Sequence, residues 1–269
     1  MKKKKEKKGL NAVSLIYACL IYAFLYLPIL VVIIFSFNTS EMNVKFEGFT
    51  LSWYVKMLDN TDLMNAFKTT VIVAAASTAL SVFIGTISAF GMFKFKFKGK
   101  SVIDSLLYIP IVIPEIVLGI ALLAFFTAIN MPMGLLTLII AHVTFCVPFV
   151  VITVRARLSG YDMSIEEASM DLGANQWRTF RRVTLPIIAP GVASGAMLAL
   201  TISLDDVIVS FFTSGPDDMT LPIKIFGMVR KGVSPDVNAL STVMILATIL
   251  IMITYKIIER NSEKRQGRI

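Results

Sequence analysis

The stretch from Thr69 to Phe93 carries no charged side chain and is closed at its two ends by Lys68 and Lys94. An α-helix rises about 1.5 Å per residue, so a run of this length is enough to cross a hydrocarbon core of about 30 Å. Ala12 to Phe37 and Val237 to Tyr255 are uncharged in the same way. Ile116 to Val154 is also uncharged but too long for one crossing, and Asn130-Met131-Pro132-Met133-Gly134 inside it has the residue types of a turn. Composition agrees with these runs: of 269 residues 56% are hydrophobic and 16% charged, with a mean hydropathy of +0.75. A water-soluble body needs about a quarter of its residues charged to cover its outside. Lipid is therefore the solvent for much of the chain. Two cysteines exclude a disulfide scaffold, and the absence of a polar excess excludes a disordered chain.

These runs predict an all-α membrane protein with six transmembrane helices. The first two are Ala12 to Phe37 and Thr69 to Phe93. A third begins near Ser105 and contains Glu115, and a fourth completes the Ile116 to Val154 run. A fifth goes from about Val183 into Asp205 and Asp206, and the sixth is Val237 to Tyr255. Basic residues stay on the cytoplasmic side. With the N-terminus inside, six crossings keep 20 of the 26 lysines and arginines inside: Lys2 to Lys5, Lys7, Lys8, Lys94, Lys96, Lys98, Lys100, Arg155, Arg157, Arg178, Arg181, Arg182, Lys256, Arg260, Lys264, Arg265 and Arg268. Both termini are then expected to be cytoplasmic. The leading lysine run reads as an orientation anchor rather than a nucleic-acid site. The first apolar stretch exceeds the usual ~7–15 residues of a cleavable signal and lacks a small-x-small cleavage pattern, so it is expected to stay attached.

No phosphate-binding Gly-x-x-x-x-Gly-Lys-Ser/Thr loop, His-Glu-x-x-His or Cys-x-x-Cys occurs, and there is a single histidine. Chemistry on a substrate is not expected, nor is a metal. His142 and Cys146 lie four apart on one helix face, but two ligands do not complete a metal site, and both read as packed or hydrogen-bonded inside a bundle. Cys19 reads as core in the same way. Ser77, Ser81, Gly85 and Ala89 recur every fourth residue, and Gly191 with Gly195 forms Gly-x-x-x-Gly; both patterns allow close helix contact.

The segment between the fourth and fifth spans holds the densest local signals. Ser164 followed by Glu167 fits a capping box, acidic Glu166 and Glu167 suit a helix start, and Gly173 stops a helix running from about Ile165 to Leu172. From Gln176 onward Trp177, Phe180 and Val183 fall at i, i+3 and i+6 while Arg178, Arg181 and Arg182 point elsewhere, giving an amphipathic piece at the cytoplasmic face.

Glu167-Ala168-Ser169, then Gly173, then Val183-Thr184-Leu185-Pro186 resembles the EAA motif of binding-protein-dependent ABC importer permeases. The resemblance extends to Gly48-Phe49-Thr50 with Trp53-Tyr54, to His142 through Val150, to Asp205-Asp206, to Leu221 through Ile225 and to Gly232 through Leu240, which are similar to PotC-type permeases of spermidine/putrescine transporters. It implies a type I ABC importer permease bundle. Residues 1–65 would form a basic tail, the first span and an external loop. Residues 66–258 would form a five-helix core with a coupling loop at 155–186, and 259–269 a cytoplasmic tail. It further implies a transport subunit rather than an enzyme, in a bacterial cytoplasmic (inner) membrane. Its partners would be a second permease subunit, an ATPase dimer and an extracytoplasmic polyamine-binding protein. No cofactor is expected on this chain, ATP and Mg being held by the partner ATPase. Glu167, Ala168, Ser169, Gly173, Leu185 and Pro186 would form the ATPase-coupling set.

A carboxylate inside a bilayer costs several kcal/mol unless it faces water, protein or an opposite charge, so Glu115, Asp205 and Asp206 are candidate substrate-path residues. Pro110 and Pro114 are expected to kink or unwind the third span beside Glu115. Asp205 and Asp206 lie in the outward half of the fifth span, and consecutive residues on a helix are about 100° apart, so at most one of them is expected to face the path directly. Carboxylates in steps suit a flexible polycation, and Phe145 and Phe149 would add cation–π contacts. Asp104, at the inner edge, reads as interfacial. Permeation of another small solute, such as an amino acid or an inorganic ion, and a proton-coupled secondary transporter remain alternatives.

Overall fold

The computed structural model describes residues 12–40, 45–229 and 235–266. The lysine run near the N-terminus, Glu41, Arg230, Lys231, Gly232-Val233-Ser234 and Arg268 lie outside the described residues. In chain order the helices are α1 (Ala12–Phe35), α2 (Ser52–Asp59), α3 (Thr61–Lys94), α4 (Lys100–Val112), α5 (Glu115–Ala128), α6 (Leu135–Leu158), α7 (Ser164–Asp171) and α8 (Gln176–Thr179). A single π-helical turn (Phe180–Thr184) leads into α9 (Leu185–Asp205), followed by α10 (Ile208–Thr213), α11 (Leu221–Val229) and α12 (Pro235–Gln266). Among the described residues five stretches are long and apolar enough to cross a membrane: Ser14–Phe35, Thr61–Lys94, Leu135–Leu158, Gln176–Asp205 and Pro235–Thr254. Helices α4 and α5 pass together as a sixth, bent by 111°. The chain is a multi-pass, all-α membrane protein.

Three of the spans differ in their bounds from expectation, the second by beginning at Thr61, ahead of its charge-free run. The third is unwound at Pro114, as its prolines led one to expect, and bent sharply enough to be two helices. Pro114 has no N–H to donate and forces the residue before it out of the helical region, so Ile113 is extended at φ −69°, ψ 136°. Glu115 therefore opens α5 instead of lying inside a continuous span, while Pro110 is accommodated within α4. The fifth span starts earlier than expected, at Gln176, running through the π-turn. It stops at Asp205, because Asp206 is extended at φ −65°, ψ 124°. The two aspartates are thus not a helical pair, and the 100° argument does not apply to them.

The chain divides into two compact units, residues 1–60 with 228–251 and residues 61–227 with 252–269. In the first, buried Asn38 organises the loop after α1. Its amide donates to the Lys45 carbonyl (2.7 Å), its side-chain oxygen accepts from the Glu47 N–H (2.8 Å), and its own carbonyl accepts from the Trp53 indole (2.6 Å). Phe37 stacks on Phe49, and Ser36 and Tyr54 share a hydrogen bond of 2.8 Å. Helix α1 itself buries nothing in its apolar window. Cys19 is exposed on it, contrary to the core reading, because its helix presents apolar side chains outward. That is stable where the solvent is lipid.

In the second unit α3, α6 and α9 pack against one another. Ser77, Ser81, Gly85 and Ala89 are all buried on α3, as are Gly191 and Gly195 on α9. Both small-residue patterns thus serve the same contact. A Cβ at Gly85 would sit 2.8 Å from the Val150 side chain, and one at Gly195 would sit 3.2 Å from the Val150 Cα. Val150 is completely buried between them. A Gly85→Leu substitution overpacks this seam and is expected to destabilise the bundle by about 1–3 kcal/mol, read as a lower thermal midpoint of the detergent-purified protein. An unchanged midpoint would show that the seam is looser than described.

Candidate functional site

The break between α4 and α5 opens a cavity of about 430 Å³. Pro110, Ile111 and Ile113 line it from the α4 end and Glu115 and Leu118 from α5. Phe145 and Phe149 come from the middle of α6, and Asp205, Asp206 and Val207 from the end of α9. All five residues that the sequence suggested for a substrate path are brought to this one space. Glu115 sits at the first position of α5, where a carboxylate is favoured by the positive end of the helix. The floor is aromatic and aliphatic and the polar groups are acidic, a lining that suits an organic cation.

The three acids are not equivalent. Asp206 caps α10: its two oxygens accept from the Val209 N–H (3.3 Å), the Ser210 N–H (2.7 Å) and the Ser210 hydroxyl (2.6 Å). Behind it a buried polar chain crosses the bundle. His142 Nε2 pairs with Ser210 Oγ at 2.9 Å and Nδ1 with Ser203 Oγ at 2.7 Å, and Ser203 meets Ser77 Oγ at 3.1 Å. The single histidine is thus a hydrogen-bonded link among α3, α6, α9 and α10. Cys146 Sγ donates to the Ala199 carbonyl at 3.5 Å. Asp205 is exposed at the end of α9 and, with Glu115, presents carboxylate to the cavity. Asp104 pairs with Arg155.

The second candidate region is the arm formed by α7 and α8. Helix α7 starts one residue earlier than the sequence suggested. No Ser164 capping box forms; instead the Asp162 carboxylate accepts from the Ser164 N–H at 2.9 Å, which holds the Asp162 carboxyl below its ordinary value. Gly173 ends the helix in the left-handed region, at φ +87°. Asn175 then caps α8 by accepting from the Arg178 N–H at 2.8 Å. Between the two short helices lies a groove of about 430 Å³ bordered by Ile165, Ala168, Ser169, Leu172, Arg178 and Arg182. Leu172 is 90% exposed and Trp177 67%. Glu167 and Ala168 are exposed on this outer side, and Ser169 bonds Thr179 across the arm at 3.1 Å. Leu185 packs against the hydrophobic core, and Pro186 is exposed at the start of α9, so these two belong to the root of the arm and not to its outer face.

Glu166, beside Glu167, points the other way and is 1% exposed. One oxygen accepts from Lys94 Nζ at 2.6 Å. The other accepts from the Thr184 hydroxyl at 2.6 Å and from the Tyr161 hydroxyl at 3.3 Å. Burial alone would raise its pKa, but the Lys94 and Thr184 hydrogen bonds and the lysine charge outweigh burial, so it lies below its ordinary 4.5 and the carboxylate is ionised at neutral pH. Burial and the adjacent carboxylate push Tyr161 up, which keeps its hydroxyl a donor.

Residues 81–268, which contain both regions, match the family described as binding-protein-dependent transport system inner membrane component. The chain belongs to this family. It is 39% identical over 247 residues to the spermidine/putrescine transport system permease protein PotC of Shigella flexneri, covering 92% of this chain and 94% of that protein. It is 38% identical to the putrescine transport system permease protein PotI of Escherichia coli K12, covering 83% of this chain and 82% of that one. Among solved structures, a chain of a bacterial ABC transporter involved in the import of the acidic polysaccharide alginate aligns with a TM-score of 0.72 at 13% identity, over 97% of this permease and 99% of that chain. A chain of the MetNI methionine ABC transporter aligns with a TM-score of 0.61 at 17% identity, over 79% and 99%. The fold is that of a type I ABC importer permease.

Sequence reasoning read His142 and Cys146 as packed or hydrogen-bonded inside the bundle, which they are, but it missed the partners of His142 and the whole Glu166 cluster. The Glu166 cluster joins positions 94, 161, 166 and 184, and the His142 chain joins 77, 142, 203, 210 and 206. Their one visible trace was a polar side chain in an apolar setting, namely a histidine in a charge-free span and a lysine closing one.

Proposed function

We propose that this permease carries polyamines of the spermidine and putrescine type inward across a bacterial cytoplasmic membrane, with both of its termini in the cytoplasm. It would work with a second permease subunit, an ATPase dimer holding ATP and Mg, and an extracytoplasmic binding protein. The observation that carries the substrate class is the cavity that Glu115 and Asp205 line together with Phe145 and Phe149. Two carboxylates on an aromatic floor exchange the hydration of separated ammonium groups for charge-assisted hydrogen bonds and cation–π contacts, while the apolar wall takes the methylene chain. The relatives named for spermidine and putrescine, at 39% and 38% identity, support the same class. The exposed face of α7, with its groove and Leu172, supplies the surface for the ATPase. Closure of the ATPases on ATP would then drive the cavity between outward and inward access.

The test is uptake into proteoliposomes holding the assembled complex and loaded with ATP. Labelled spermidine or putrescine should accumulate with the wild-type ATPase and not with a catalytically dead one. Accumulation with the dead ATPase would favour a secondary transporter. ATP-dependent uptake of an amino acid or inorganic ion in place of polyamines would overturn the substrate.

A further inference from the structure

Two neighbouring glutamates of α7 face opposite ways. Glu167 is on the outer surface, whereas Glu166 is buried and touches groups at the inner ends of all three core helices. Lys94 is the last residue of α3, Tyr161 follows the end of α6, and Thr184 closes the π-turn that becomes α9. The contacts are short and mutually braced: Lys94 at 2.6 Å, Thr184 at 2.6 Å, Tyr161 at 3.3 Å, and Tyr161 to Thr184 at 3.2 Å. Tyr161 is further held by the Phe93 ring, centroids 6.3 Å apart. Beside this cluster, Met163 packs against the hydrophobic core just before α7, and Phe180, just after α8, packs on Phe90 with ring centroids 4.9 Å apart.

Resting on the reading of the chain as an ATP-driven permease, we propose that Glu166 is a positioning residue that carries movement of the arm to the membrane helices. Its single carboxylate makes α7 and the inner ends of α3, α6 and α9 move as one piece. A buried, ionised, fully bonded carboxylate is suited to this. Separating it from its partners would leave a charge unpaired in a low-dielectric site, so the cluster moves together or breaks. The outer face of the arm makes contact and the inner face transmits. The division explains why two adjacent acids are present on a helix of eight residues.

The experiment measures ATP hydrolysed per polyamine transported in proteoliposomes, alongside co-purification of the ATPase. Glu166→Gln keeps the shape and removes the charge that holds Lys94. It should leave ATPase co-purification and ATP hydrolysis within about twofold of wild type but lower uptake about tenfold, raising the ATP-to-substrate ratio at least fivefold. Lys94→Gln should raise the ratio similarly, Lys94→Arg should restore it, and the double variant should be no worse than either single one. A wild-type ratio in Glu166→Gln, or losses that multiply in the double variant, would overturn the proposal. If Glu166→Gln does not assemble, the ratios of Lys94→Gln and Lys94→Arg decide: equal ratios overturn it. Absence of ATP-dependent uptake in the wild-type complex would instead refute the transport reading itself.

Discussion

Replacing Gly173 with valine is expected to abolish transport while leaving the chain in the membrane. At φ +87° this residue turns the backbone sharply between α7 and α8, with its N–H on the Met170 carbonyl at 2.9 Å and the Ala174 N–H on the Ser169 carbonyl at 3.2 Å. A Cβ placed there meets nothing within 4 Å, so the penalty comes from the backbone alone. A β-branched residue in the left-handed region costs of order 1–3 kcal/mol. Glu166 pins α7 to the core helices, so the strain is relieved by changing the angle between α7 and α8, which deforms the groove between them. A shift of 1.4 kcal/mol is about tenfold in population, and uptake should fall by at least that factor. Asparagine tolerates the left-handed region and should retain most activity. Quantifying membrane-inserted protein beside vesicle uptake separates a coupling defect from loss of the chain. Normal uptake by the valine variant would mean that the geometry of the arm is irrelevant.

The second large effect concerns the cavity acids, which should behave as two classes. Glu115→Gln and Asp205→Asn each remove a charge that faces the cavity and leave the packing intact. Each should lower polyamine uptake about tenfold or more, since a hydrogen bond to a charged group contributes about 1.5–3 kcal/mol. Asp206→Asn should act differently. The Asp206 oxygens hold the start of α10 and adjoin the His142 chain, so its loss should appear first as a lower thermal midpoint and poorer assembly. Initial uptake rates at several polyamine concentrations, beside thermal unfolding of the same preparations, distinguish the two. If Glu115→Gln transports as wild type, that residue is outside the path.

Much of the fold was legible because the membrane imposes a local rule. A charge-free run ends where a lysine must reach water, and α3 ends at Lys94 for this reason. The turn at Asn130 to Gly134 separated α5 from α6 as expected, with Asn130 itself at φ +54°. The arm was legible because a positive-φ glycine and its neighbouring caps act within a few residues of one another. The start of the second span and the boundaries of the third and fifth were not. Hydropathy does not distinguish a straight apolar helix from two helices bent by 111°, and two adjacent aspartates at the end of an apolar run do not reveal that the helix stops between them.

The sequence by itself determined that this chain crosses the membrane repeatedly as helices, that one connection forms an arm ended by Gly173, and that three acids stand in apolar surroundings. These follow from desolvation and backbone conformation, which each residue experiences locally. Only the tertiary structure decided which carboxylates face the cavity, which of the paired glutamates is buried, and what holds the arm to the bundle. Those outcomes depend on partners distant in the chain. Lys94 meets Glu166 across 72 positions and His142 meets Ser203 across 61, and no local preference of either residue encodes the meeting.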